Sequence, residues 1–149
     1  MEISKLRVSK LRTYLFGIIQ NLNNQYNQIN INFLSDDINN YSLDKIPTEK
    51  EVDNWIIGDT LYRDLYSFRS RMNYSPDVLS NIENMGFYEE FEKIIKQNNE
   101  NGILPDIKGI ESIKCLNCGS MVNANTNTAE FDIQIQIEYR EVEDTTVSL

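Results

Sequence analysis

Cys115 and Cys118 form the CxxC motif of this 149-residue chain, a spacing used by zinc sites and redox centres. Zinc usually takes four ligands, and the sequence offers neither a second cysteine pair nor a histidine. A redox CxxC needs its first thiol at a helix N-terminus, which lowers the pKa of the thiol, whereas this motif follows a predicted strand. The pattern favours two small residues in a strand and turn. A metal site completed by a neighbouring chain is the alternative.

Carboxylates are the second group able to do chemistry. Acidic residues lie at Asp36-Asp37, at Glu89-Glu90, and at Glu141, Glu143 and Asp144. Paired acids hydrolyse glycosides when they flank a cleft, but these fall on predicted loops, an exposed helix face and the tail. The chain has no histidine, which excludes Ser-His-Asp and Cys-His catalysis, and its six glycines form no phosphate-binding motif. The residues therefore predict a protein that is not an enzyme, with no catalytic residue, cofactor or metal.

Basic residues cluster at the chain start and on one face of a predicted strand. They are Lys5, Arg7, Lys10 and Arg12, and then Arg63, Arg69 and Arg71. The chain has 14 basic and 23 acidic residues, a net charge of −9, so binding to DNA through phosphate neutralisation is disfavoured. A solvated helix face and charges that prevent edge aggregation are the alternatives to an interface. The predicted interface comprises these seven residues with Asp36, Asp37, Glu141 and Glu143, and a protein is the favoured partner.

Length and composition predict one globular domain. Apolar residues make up 40% of the chain and charged residues 25%, and this length supports one substantial core. No apolar run reaches the roughly 18 residues that cross a bilayer, so no membrane partner is expected. Two cysteines are too few for a secreted disulfide framework, which favours a protein that is intracellular when made.

The spacing of apolar residues predicts an amphipathic helix over about residues 4–26, followed by strands. The expected strands are Ile29–Phe33 with one buried face, a short strand at Tyr41–Ile46, Trp55–Ile57 before a turn at Gly58-Asp59, and residues 60–72. The last of these alternates an aromatic inner face with a basic outer face.

A second helix is predicted to open at Ser75-Pro76-Asp77, with Ser75 as cap, to break at Met85-Gly86 and to end at Asn101-Gly102. Strands are predicted at Ile110–Lys114 and Phe131–Arg140. The order predicts an α+β fold, a mostly antiparallel sheet with an N-terminal and a central helix packed on it. Residues 1–140 form the single predicted domain. The tail 141–149 and the loop 35–48 are expected to order on assembly.

Several segments resemble small phage and prophage proteins of Gram-positive bacteria, encoded in the head-to-tail part of the structural module. The segments are Tyr74–Leu79, Asn84–Phe91, Leu104-Pro105 and Thr128–Tyr139. These relatives are minor capsid or tail-completion proteins and look like tail terminators of long-tailed phages. The resemblance extends from the first helix to Tyr139 and includes no motif of chemical function.

The resemblance implies a structural virion protein with a tail-terminator-like α+β fold. Tail terminators form a ring, typically of six subunits, that caps the tail tube and joins it to the head connector or collar. The implied partners are other copies of the chain, the tail tube protein, the sheath protein and the connector or collar, with genomic DNA only as passing cargo. The implied location is the virion tail or neck, and the host cytoplasm during assembly. The alternative is a head-completion or connector adaptor on the portal side.

Overall fold

The computed structural model describes residues 2–22, 28–48, 51–54, 59–117, 119–125 and 127–142. Within these ranges two helices pack on a mostly antiparallel sheet, which confirms the predicted α+β class. A short 3-10 helix, Ile3–Lys5, precedes α1 (Arg7–Leu22), and the central helix is α2 (Val78–Glu100). The strands are β1 (Gln28–Ile31), β2 (Asn40–Ile46), β3 (Glu51–Asn54), β4 (Asp59–Asn73), β5 (Ile110–Cys115), β6 (Ser120–Ala124) and β7 (Thr128–Val142).

The two longest strands, β4 and β7, form the centre of the sheet. They pair antiparallel over 15 residues, from Asp59 opposite Val142 to Asn73 opposite Thr128. The sheet order is β1-β2-β4-β7-β5, with β3 also on β4 and β6 also on β7, and β1 runs parallel to β2. Both long strands match their predictions, because strict alternation of apolar and polar residues specifies one buried face.

The core lies between this buried face and the two helices. Leu11, Leu15 and Ile19 of α1 are completely buried, as are Phe91 and Ile95 of α2. Aromatic rings connect the layers. The Phe68 ring on β4 stacks on Tyr41 of β2 with centroids 5.5 Å apart, and on Phe91 of α2 at 5.3 Å. Each large side chain buried here contributes about 1.5–3 kcal/mol, so the helices are held mainly by this contact.

The starts of both helices differ from the predictions. The first helix begins at Arg7 rather than near residue 4, and residues 23–26 of its predicted end lie outside the described residues. The second begins at Val78, where the Asp77 side chain, not Ser75, accepts the capping hydrogen bond from the Leu79 N–H at 3.2 Å. Ser75 instead accepts from the N–H of Asp77. Carboxylates cap as well as hydroxyls do, so sequence alone does not separate the two positions.

The predicted break in the second helix is wrong, because α2 runs without interruption from Val78 to Glu100. Gly86 has no atom within 4 Å of where a Cβ would lie, so it occupies an exposed helical position rather than a bend. The predicted end is confirmed. Asn101 caps the helix and Gly102 follows with φ of +72°.

The prediction of a buried face along Ile29–Phe33 is wrong beyond its first residue. Ile29 is buried, but Ile31 and Phe33 are 44% and 62% exposed. The strand ends at Ile31, and Asn32 follows with φ of +55°, a conformation outside regular strand geometry. In contrast, the strand predicted at Tyr41–Ile46 is confirmed as β2.

The remaining differences concern loops and termini. The strand predicted at Trp55–Ile57 lies outside the described residues, and β6 was not predicted. β5 confirms the strand at Ile110–Lys114. The tail expected from residue 141 contributes Glu141 and Val142 to β7, while residues 143–149 lie outside the described part. Neither described helix combines the length and apolar character needed to cross a membrane.

Two glycine substitutions test this architecture. Replacing Gly86 by Ala is expected to raise the free energy of unfolding by about 0.5–1 kcal/mol, because Ala favours an uninterrupted helix. Replacing Gly109 by Ala is expected to lower it by more than about 1 kcal/mol, since Gly109 has φ of +79° and a Cβ there would lie 2.0 Å from the Arg140 carbonyl oxygen. Urea unfolding monitored by circular dichroism measures both. Destabilisation by the Gly86 substitution would contradict a continuous α2.

Candidate functional site

A fully buried carboxylate, Asp64 of β4, lies on the inner face of the sheet. Its Oδ2 accepts a hydrogen bond from Arg7 Nε at 3.0 Å, and its Oδ1 accepts one from the Tyr139 hydroxyl at 3.1 Å. The Lys45 ammonium is 3.8 Å from Oδ1, and Tyr66 also hydrogen-bonds to the carboxylate. We call Arg7, Lys45, Asp64, Tyr66 and Tyr139 the Asp64 cluster. It joins the first residue of α1 to three strands.

The electrostatics of the cluster raise the pKa of the Arg7 guanidinium and of the Tyr66 and Tyr139 hydroxyls. Burial is the largest single influence and lowers the pKa of the Arg7 guanidinium, but the hydrogen bond to Asp64 and the charges of Tyr139, Asp64 and Glu141 together raise it. Burial, followed by the charge of Asp64, raises the pKa of the Tyr66 and Tyr139 hydroxyls. The Arg7 guanidinium also lies 4.4 Å from the centroid of the Tyr139 ring, a cation–π contact. These partners neutralise the buried charge that would otherwise be costly.

The cluster borders an open cleft of about 440 Å³. Its walls carry charges of both signs. The positive residues are Lys5, Lys108 and Arg140, and the negative residues are Asp106 and Glu141. Among the described residues, no group of three or more His, Cys, Asp or Glu side chains is placed to hold a metal ion. The groups of the cluster are occupied with one another, so the arrangement positions α1 on the sheet.

The basic residues predicted at the chain start are paired with groups of the same chain. Arg7 contacts Asp64 and lies 3.5 Å from Glu141, which is itself among the predicted interface residues. Lys5 pairs with Glu2 at 3.4 Å and Lys10 with Asp106 at 3.2 Å. The fourth residue, Arg12, donates to the Ile29 carbonyl oxygen at 2.6 Å. This distribution shows that the first helix does not present a row of uncompensated cations.

The arginines of β4 also have partners within the chain. Arg69 bridges Asp44 at 2.5 Å and Glu130 at 3.0 Å across three strands. Arg63 lies 3.8 Å from Glu138, and Arg71 donates to the Ser35 carbonyl oxygen at 2.8 Å and to the Thr128 hydroxyl at 3.2 Å. The outer face of the sheet is therefore internally paired.

The other predicted positions are scattered. Asp36 and Asp37 are exposed in the loop before β2, and the structure brings neither to the Asp64 cluster. Glu143 and Cys118 lie outside the described residues. Cys115, at the end of β5, is half-buried.

An exposed apolar surface on α2 was not predicted. Val78, Leu79, Ile82 and Met85, which we call the α2 patch, are 58–69% exposed. The opposite side of the same turns is polar and fixed: the Asn81 amide donates to the Ser75 carbonyl oxygen at 3.0 Å, and the Asn84 amide to that of Asn73 at 2.7 Å.

The amphipathic pattern of α2 therefore inverts along its length. Before Gly86 the apolar side chains face outward, whereas after it Tyr88, Phe91 and Ile95 face the core. The apolar residues before Gly86 and those after it fall on different sides of one helix, and this shift was the signal available in the sequence. It indicates that the apolar face changes side, not that the helix breaks. An apolar surface on a helix anchored in this way cannot be turned inward without losing the hydrogen bonds of Asn81 and Asn84.

A second surface shares this character. All five residues of β6 are exposed, including Met121 at 49% and Val122 at 53%, and none is charged. Exposed apolar strands at a sheet edge are prone to pair with other chains, and proteins usually protect them with charges.

Compared with known proteins, the chain matches no protein-family model and no curated protein sequence.

Replacing Asp64 by Asn tests the structural role of the cluster. Asn keeps the size of the side chain but leaves the charge of Arg7 without its buried partner, so we expect the free energy of unfolding to fall by about 3 kcal/mol. Asp106→Asn is the control, because its carboxylate is 95% exposed and its pair with Lys10 is solvated. Equal stability of the two variants in urea unfolding would contradict the role assigned to Asp64.

The tyrosines predict a loss of stability at alkaline pH. Burial raises the pKa of Tyr66, Tyr88 and Tyr139 in the folded state, so the unfolded chain releases these protons first. Their contribution is complete below the ordinary tyrosine pKa of about 10, and it is lost as the pH rises through the folded-state values. Unfolding free energies measured in urea from about pH 8 to pH 11 should fall above pH 10. A Tyr139→Phe variant should show a shallower fall, and an equal slope would exclude Tyr139 as a contributor.

Proposed function

We propose that this chain is a structural virion protein, a tail terminator that assembles as a ring, caps the tail tube and joins it to the head connector or collar. The observation that carries the proposal is the α2 patch. It is a large apolar surface on a chain that is 25% charged and carries a net charge of −9. Apolar patches of this kind mark surfaces that bind other proteins.

The internal pairing of charges supports a role in assembly rather than catalysis. The buried carboxylate of Asp64 is compensated by Arg7 and Tyr139, and Arg69 is held by two acids. These contacts stabilise a fold. Exposed apolar surfaces are available to partners beside these paired charges, which is the character expected of a subunit that is buried in a larger particle.

A ring requires each subunit to present two different surfaces, one to each neighbour. The α2 patch and the distant Ile31 and Phe33 are two separate apolar surfaces on this chain. The α+β fold agrees with the fold that the resemblance to tail terminators implies. The partners proposed are other copies of the chain, the tail tube protein and the connector or collar, with DNA passing through the ring.

Electron microscopy of purified tail tubes incubated with the protein tests this function. We expect a ring of density at one end of the tube and a tube length that no longer increases when tube protein is added. Tubes that stay bare and continue to grow would overturn the terminator role. Binding to the portal complex instead would identify the protein as a head-completion or connector adaptor.

A pair of α2 variants examines the contribution of the patch. Ile82→Glu places a charge within the α2 patch, and we expect it to reduce the fraction of capped tubes at least tenfold. Gln97→Glu places the same charge at an exposed position of the same helix outside the patch. Both variants should unfold at similar urea concentrations, because both positions are exposed. Equal capping by the two variants would contradict the use of the patch in assembly.

A further inference from the structure

Two long stretches of this acidic chain contain no charged residue. Residues 13–35 have no Asp, Glu, Lys or Arg, and neither do residues 115–129. The first stretch contains β1 and the second contains β6. Charges are abundant elsewhere, so two copies with a net charge of −9 approach with least repulsion where these stretches meet.

The strands of the two stretches, β1 and β6, lie at opposite edges of the sheet, and a line of paired residues crosses the sheet from one to the other. Ile29 of β1 is opposite Tyr41, which is opposite Ser70, and Ser70 is opposite Phe131. On the far side, Phe131 is opposite Met121 of β6. In the described part of the chain neither β1 nor β6 has a strand on its outer side. The two uncharged stretches therefore contribute to two edges of the sheet that face in opposite directions.

The edge at β6 also includes the start of α2. The Tyr88 ring of α2 packs on the Phe131 ring with centroids 4.9 Å apart. Gly119, just before β6, lies so close to Tyr88 that a Cβ on Gly119 would be 2.5 Å from the Tyr88 ring. This contact places the Tyr88 side of α2 next to β6, while Phe87 and Phe91 of the same helix pack on β2 and β4. We call the exposed residues Ile82, Met85, Met121 and Val122 edge A.

The second edge offers side chains rather than a free strand. Ile31 and Phe33, which we call edge B, are 44% and 62% exposed at the end of β1. The Ile29 carbonyl oxygen already accepts a hydrogen bond from Arg12, so a partner strand would have to displace Arg12 to pair there. Edge B is therefore suited to pack its apolar side chains against another apolar surface.

We infer that edge A of one copy binds edge B of the next copy. Edge A supplies four apolar side chains and edge B supplies an isoleucine and a phenylalanine, and none of these six side chains is charged. Because the two edges differ and lie at opposite ends of the sheet, the contact is head-to-tail, and it closes into a ring if the rotation between neighbours permits. For its place in the virion the inference rests on the proposed tail-terminator function, but the contact itself involves this chain alone.

Complementation between two variants tests the contact. Met85→Glu damages edge A, and Phe33→Glu damages edge B, both at exposed positions where folding should be preserved. We expect the unmodified chain to associate in analytical ultracentrifugation and each variant alone to be monomeric. An equimolar mixture should form heterodimers, because the intact edge B of the first variant meets the intact edge A of the second. Gln97→Glu should associate like the unmodified chain.

Several outcomes would overturn the inference. If the Phe33 variant still dimerises alone, edge A binds itself. If the mixture stays monomeric while the unmodified chain associates, the contact uses other surfaces. An unmodified chain that is monomeric at all concentrations also overturns it, unless crosslinking in the presence of tail tubes captures the contact.

For the crosslinking measurement, Phe33→Cys and Met85→Cys are combined in a chain with Cys115→Ser and Cys118→Ser. A bifunctional maleimide should then give a ladder beyond the dimer, and no ladder would reject the contact.

The same variants separate this inference from the proposed function. A ring on tail tubes that forms normally with Phe33→Glu would reject the edge contact and leave the terminator function standing. Complementation between the two variants without any ring on tubes would support the edge contact and reject the terminator function.

Discussion

The antiparallel pairing of β4 with β7 is the constraint on which the rest of the structure depends. β2 and β3 pair with β4, β5 and β6 pair with β7, and both helices pack on the face that the two long strands bury. The register also arranges the charges. A shift by one residue would turn Asp64 to the outer face and Arg69 into the core, so the buried face and the paired outer face select the same register.

Sequence patterns were most informative where one periodicity extended over a whole element. The alternation along residues 60–72 and Phe131–Arg140 identified β4 and β7 because each has one face in the core. The Asp64 cluster was not accessible in this way. Arg7 and Tyr139 lie 57 and 75 residues from Asp64 along the chain, and only the strand register and the position of α1 bring them together. No local pattern carries that information.

The basic residues of the predicted interface also have contacts within the chain. Arg7 and Lys10 have acidic partners and Arg12 donates to a carbonyl group, and the role of these residues in an interface stays a prediction. The first apolar residues of α2 face outward, a direction that the sequence did not predict. The misinterpretation at Gly86 has a physical origin, because a break in the helix and a change of its apolar face leave the same pattern in a sequence.

The position of β7 has a consequence for synthesis of the protein on the ribosome. It spans Thr128–Val142 and contributes six buried apolar residues to the core, which are Ala129, Phe131, Ile133, Ile135, Ile137 and Tyr139. The earlier elements therefore wait, with their apolar faces uncovered, until almost all of the described chain has been translated. Folding is then a late, concerted event dominated by distant contacts, which is slow in comparison with local folding. During that interval the exposed apolar faces favour premature association between chains.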